Sequence, residues 1–265
     1  MSIVFIHLTF AKPLTFDRFF EPPPSRTTMD IVDGILRLST KYEIPFLRKR
    51  ALRHLDLPMC LRDLDALNRR RKIPITNPSA YQTADLVHEM DLPWSLPMIL
   101  YACTLSMEGV VTGYMHRGER RSMNRSLQEL CLKAVKPLMH WYRKDILGFL
   151  YRTNIDGCQS FARCLEGRLT LAEEYFAYKY YHPLGSFSDM YETAVQKAVC
   201  TTCYTASRNT HLAAREALWE ALPGLFDLPS WETLRTRREQ ALTIAQMHPP
   251  NSSPVSLPND SLAAH

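Results

Sequence analysis

Phe19 to Leu55 constrains this chain more than any other stretch. It reads FFEPPPSRTTMDIVDGILRLSTKYEIPFLRKRALRHL. Apolar residues recur there at the spacing of a helix face: Ile31, Val32, Ile35, Leu36 and Leu38, then Phe46, Leu47, Leu52 and Leu55. Thr27 followed by Asp30 is a start signal of capping-box type. Pro45 suits the first turn of a second helix, where its missing N–H costs nothing. Arg48, Lys49, Arg50 and Arg53 fall on the wet side. The stretch therefore predicts two short helices joined by a tight turn. Leu36 and Leu52 lie where the apolar stripe is densest.

The same period continues downstream. Residues 79–106 read as two helices cornered at Asp91-Leu92-Pro93, with Trp94 to Leu105 nearly all apolar and central to a core. Residues 109–124 are rich in Gly and Arg and read as a loop. Residues 123–152 carry Leu127, Leu130, Cys131, Ala134, Leu138, Tyr142 and Ile146 on one face, with Pro137 expected to kink the helix. An aromatic-rich helix is expected within 158–181. Ser186 or Ser188 then caps one long helix running to Leu222, stopped by Pro223-Gly224. A last short helix starts at Ser230-Trp231. Residues 1–24 are β-prone and then Pro-rich, and residues 57–78 are only weakly patterned. From 248 to 265 there is no period and many breakers, which predicts a disordered tail. The fold class is mainly α. Proline exceeds glycine, 18 to 9, as expected of short helices divided by stiff connectors.

Several motifs occur in the order found in one known group. FFEPPP, GILRLSTKYEI and LRKRAL resemble the C-terminal end of the BTB/POZ domain in fungal proteins of the basidiomycetes. DLPWSLPMILYACTL resembles that group's post-BTB helices. GCQSFARCLEGRL and CTTCYTASRNTHLAAREALWEALPGLFDLPSWETL resemble its C-terminal half. The resemblance spans about Phe16 to Leu234. It implies a partial BTB/POZ domain over 1–56, lacking the domain's front half, and a post-BTB helical region over 57–247. It also implies an intracellular, non-enzymatic scaffold that binds a protein partner and can self-associate.

The residues themselves offer one sharp chemical signal. Cys158 and Cys164 flank a helix start, and Cys200 and Cys203 form a C-x-x-C. Four thiolates can close a tetrahedral zinc site, so these are the candidate metal ligands. On a helical wheel, Cys200 and Cys203 fall off the stripe of Tyr191, Val195, Ala198 and Thr202. Free cysteine prefers burial, so the pair needs either a second packing surface or a metal. Packing is the plainer account. Redox chemistry is disfavoured, because a redox C-x-x-C sits at a helix start and this one is expected in mid-helix. His182 and His211 are alternative ligands.

Other classes fare less well. The net charge of +5 is a mild balance, and the basic clusters at Arg69–Lys72 and at Arg117, Arg120, Arg121 and Arg125 lack interleaved aromatics. Nucleic acid is thus not the expected partner, although the first cluster could serve nuclear import. That feature and the cysteines support an alternative reading, a zinc-stabilised regulatory module in the nucleus. No phosphate loop, zinc-protease helix or nucleophile elbow occurs, and no cofactor other than zinc is implied. Seven cysteines in a chain of this size favour a reducing compartment, cytoplasm or nucleus. No apolar run is long enough to span a bilayer. Trp219 and Trp231 read as core anchors before docking residues.

Overall fold

The computed structural model describes residues 20–23, 25, 27–59, 77–177 and 181–244. The expected N-terminal strand, the Arg69–Lys72 run and the tail from 248 lie outside these residues. What is described is mainly helical, as the apolar period requires, with one small hairpin.

Helix α1 (Met29–Lys41) starts on Thr28, whose hydroxyl accepts the Ile31 N–H at 3.4 Å, and carries Asp30 in its first turn. The cap is one residue later than expected. Helix α2 (Pro45–Met59) opens on Pro45 and packs against α1 after a three-residue turn. Leu36, Ala51, Leu52 and Leu55 fill the seam between them and the core. The Phe20 ring closes this end against the His54 ring, with centroids 4.8 Å apart.

Helix α3 (Asn77–Glu89) holds the pair to the rest of the molecule. Gln82 donates to Asp30 at 3.0 Å, and Arg37 is paired with Glu89. Behind α3 runs α4 (Leu96–Thr104), which is buried on nearly every side. Residues 109–124 are not a plain loop. They contain the end of α5 (Met107–Thr112) and a hairpin, β1 (Tyr114–His116) against β2 (Glu119–Arg121). The hairpin turns on Arg117 and Gly118, both at positive φ, which suits the right-handed twist of two paired strands. Strands of three residues are too short to show an alternating pattern. The half-buried Asp85 of α3 anchors the hairpin, accepting from the Tyr114 hydroxyl at 2.9 Å and from the Asn124 N–H at 2.8 Å.

Helix α6 (Arg125–Trp141) buries the face read from its sequence and runs on through Pro137. Both Pro137 and Lys133, whose carbonyl it leaves without a helical donor, are exposed, so water can serve that carbonyl. A π-turn (Tyr142–Ile146) and a 3-10 turn (Gly148–Leu150) lead to α7 (Phe161–Ala177).

The single long helix expected from Ser186 to Leu222 is three helices. They are α8 (Phe187–Met190), α9 (Glu192–Ala198) and α10 (Thr201–Leu225). Ser186 does cap the first, accepting the Asp189 N–H at 3.2 Å. The break before α10 has a tertiary cause. Val199 and Cys200 are extended, with ψ of 165° and 164°. The Cys200 amide, which a continuous helix would bond four residues back, goes instead to the Cys164 sulfur at 3.2 Å. Helix α7 can lie this close because Gly167 meets the Ala198 carbonyl, where a Cβ would stand 2.3 Å from its oxygen.

Pro223-Gly224 does not stop α10, which continues to Leu225. The carbonyl that Pro223 cannot serve is that of Trp219, and the Trp231 indole N–H donates to it at 2.7 Å. The two indoles stack at 4.7 Å, both buried, which makes them core anchors. Helix α11 (Trp231–Ile244) thereby folds back onto the turn at Pro93–Ser95. One apolar cluster runs from Phe20 to Leu234. No helix among the described residues is long and apolar enough to cross a membrane.

Candidate metal centre

Two helix starts converge beside that break. One is the beginning of α7, with Cys158 in the preceding turn and Cys164 in the first turns of the helix. Gly157 at φ +74° and the Cys158 N–H bonded to the Ile155 carbonyl form the turn. The other is the beginning of α10, where Cys200 is the N-cap and Cys203 the third residue of the helix. The four sulfurs, Cys158, Cys164, Cys200 and Cys203, all lie within 4.8 Å of one another. They could hold a metal ion. Neither disulfide is formed, and all four are free thiols.

The fit to a metal can be tested against geometry. Zinc–sulfur bonds of about 2.3 Å at tetrahedral angles put sulfurs about 3.8 Å apart. The widest separation here exceeds that by about 1 Å, a movement within reach of side-chain rotation. Cys164 and Cys203 are buried, while Cys158 and Cys200 reach the surface in part. The set is thus closed on one side by protein and holds four protein ligands, the composition of a structural site.

The surroundings favour the thiolate at Cys200 and oppose it at Cys164 and Cys203. Both helices point their positive ends at the sulfurs. The backbone N–H of Cys203, then that of Gln159, faces the Cys200 sulfur and holds its thiol down to about 6. Burial pushes the Cys203 thiol up to about 12 and raises that of Cys164. Arg168 stands one turn beyond Cys164 on the same face of α7, fully buried. Its Nη2 donates to the Arg152 carbonyl at 2.6 Å, while Nε and Nη1 have no hydrogen-bond partner. A buried cation without a carboxylate is costly, and a four-thiolate metal centre carries net negative charge.

The expectation of a C-x-x-C in mid-helix is therefore wrong, and its physical reason is the break at Val199-Cys200. The wheel that placed both cysteines off the apolar stripe assumed one continuous helix. The histidine alternatives do not join the cluster. His211 lies eight residues beyond Cys203, about 12 Å along the helix axis. It is enclosed by the rings of Phe149, Phe187 and Tyr191, at 6.0, 5.4 and 5.1 Å. His182 faces the Tyr101 hydroxyl at 3.3 Å. Of the basic residues near the hairpin, Arg120 donates to the Thr112 carbonyl at 2.9 Å and Arg125 pairs with Glu129 at 3.3 Å. A shallow, open depression of about 550 Å³ lies between Arg152–Asp156 and the first turns of α10.

Gly167 and Arg168 escaped the sequence reading, although both sit in one turn with Cys164. A glycine inside an otherwise helical pattern was the available signal, since it marks a close approach. Comparison with family models, with curated proteins and with solved structures finds no match to this chain.

Proposed function

We propose that this chain is a non-enzymatic helical interaction protein whose C-terminal half is pinned by one structural zinc ion. Cys158, Cys164, Cys200 and Cys203 are its ligands. The observation that carries the reading is the meeting of four sulfurs within 4.8 Å from two segments whose nearest members, Cys164 and Cys200, are 36 residues apart. Four protein ligands leave no open position for a substrate or an activating water, so the metal's work is structural. It would tie α7 to the junction of α9 and α10, where the helical period is broken. Binding energies of structural zinc, on the order of 10 kcal/mol in small modules, are large beside the stability of a domain. The dependence on free thiolates suits a reducing compartment, the cytoplasm or nucleus.

The test is a melt of the full chain with and without a chelator, followed by zinc. Loss of helix and a lower Tm on chelation, restored by zinc but not by magnesium, is the expected result. An unchanged melt would remove the metal from the account.

A second reading, BTB/POZ-type pairing through the helix pair, has its own observation. Ile31 and Leu38 of α1, with Tyr42 at its C-cap, form an exposed apolar stripe, and Phe46 of α2 is exposed as well. Residues 31, 38 and 42 fall within about 40° on a helical wheel, next to the buried stripe of Val32 and Leu36. An unpartnered face of this kind fits a protein partner, a second copy being the first to test. Concentration-dependent dimers that Leu38→Glu abolishes would support it, and a monomer at all concentrations would count against self-pairing.

A further inference from the structure

The four sulfurs are not equivalent. Cys203 has no exposed surface and Cys164 almost none, while Cys158 and Cys200 are both half-buried at the molecular surface. Cys200 and Cys203 straddle the first turn of the 25-residue helix α10. An outer, reachable sulfur and an inner, covered one at a helix start is the arrangement that thiol–disulfide chemistry uses. Residues three apart on a helix hold their Cβ atoms about 5–6 Å apart. A disulfide needs about 3.8 Å between them. The sulfurs themselves already lie within 4.8 Å, so the bond needs only a tightening of the first turn. No backbone rearrangement of the core is involved, because Val199 and Cys200 lie outside the helices on either side.

We infer that the centre is a peroxide-responsive zinc switch, in which oxidation of Cys200 and Cys203 to a disulfide expels the metal. This rests on the zinc reading above. The Cys200 sulfur attacks one oxygen of hydrogen peroxide. The O–O bond breaks, the departing hydroxide takes a proton to become water, and Cys200 is left as a sulfenic acid. The Cys203 sulfur then displaces hydroxide from it, which leaves as a second water. In sum, two thiolates, one peroxide and two protons give one disulfide and two waters. Two electrons pass from sulfur to peroxide. Zinc is left with Cys158 and Cys164, dissociates, and those two sulfurs take up protons. Thiol reductant and zinc reverse the change.

Loss of the ion frees the turn at Cys158 from the start of α10. The shallow depression of about 550 Å³ lies on that seam, lined by Arg152, Ile155, Thr201, Thr205, Ala206 and Asn209. Oxidation thus changes the shape of this surface as well as the metal content.

The experiment loads the reduced full chain with zinc, confirms the stoichiometry, and titrates it with hydrogen peroxide. A chromophoric chelator reads zinc release, and digestion after alkylation maps the disulfides by mass spectrometry. One zinc released per disulfide, a Cys200–Cys203 crosslink, and recovery with dithiothreitol and zinc are expected. Brief exposure in the presence of a sulfenic-acid trap should label Cys200 before its covered partner Cys203. Zinc retained while other thiols oxidise would overturn the switch and leave the structural site standing. A crosslink that excludes Cys200 would overturn it too. A reduced chain that holds no zinc at all would overturn both readings at once.

Discussion

Adding one methyl group at Gly167 should loosen the fold and the metal centre together. Gly167 lies on α7 against the end of α9, where an added Cβ would stand 2.3 Å from the Ala198 carbonyl oxygen and 3.1 Å from its carbon. The atoms it meets are the Ala198 backbone and its Cβ, which no side-chain rotation can move, so the clash cannot be relieved that way. Overpacking of this kind costs about 1–3 kcal/mol. Against it stands the gain of about 0.5–1 kcal/mol from replacing glycine inside a helix. The net expectation is a loss of about 1–2 kcal/mol. Val199 and Cys200 follow directly on Ala198, so the displacement passes to a ligand of the proposed zinc site. Zinc affinity should fall by about tenfold, in the range seen when outer-shell support is disturbed.

Gly34 provides the control. It sits in the middle of α1, and an added Cβ there meets nothing within 4 Å. Gly34→Ala should therefore stabilise by about 0.5–1 kcal/mol and leave zinc affinity alone. Urea unfolding of both variants, with zinc affinity from competition with a chelator, separates the two cases. Gly167→Ala as stable as the parent, with unchanged zinc binding, would refute the close-approach argument.

Leu36 is fully buried in the helix-pair seam and Leu52 nearly so, and replacement of either by Ala should cost about 2–5 kcal/mol in urea unfolding. Trp231→Phe keeps the stacked ring but leaves the Trp219 carbonyl, freed by Pro223, without its donor. A loss of about 1–3 kcal/mol is expected, against little change if water replaces the indole. Burial, then the charge of Arg215, holds His211 down to about 4. Its folded pKa lies below the unfolded value of about 6.5, so its contribution is complete above that value. It is lost as pH falls toward 4, on the order of 3 kcal/mol at full extent. His211→Phe should flatten that acid limb in pH-dependent unfolding, and an unchanged slope would place the titration elsewhere.

The helical architecture was legible because it is written in local periodicity. Leu36, Leu52, the apolar run through Trp94–Leu105 and the face of Leu127, Cys131, Ala134 and Leu138 each follow from a 3.6-residue repeat. Their burial follows from it as well. The breaks were less legible. Nothing local ends a helix at Ala198: no Pro or Gly intervenes, and the interruption is made by Cys164 and Gly167 arriving from another helix. Pro223, which looks like a stop, is tolerated because Trp231 supplies the missing donor from twelve residues away. Such effects belong to tertiary contacts, and a wheel drawn on one segment does not contain them. The four cysteines were identifiable as a set from residue type and spacing. Their meeting point depended on the close approach at Gly167.

The most direct test of the account is the metal content of the reduced full chain. It would be measured by elemental analysis beside the single variants Cys158→Ser, Cys164→Ser, Cys200→Ser and Cys203→Ser. The account predicts about one zinc per parent chain, much weaker retention in each variant under the same chelator challenge, and a chelator-sensitive melt for the parent alone. A parent chain without zinc, whose four thiols are free and whose melt ignores the chelator, would contradict it.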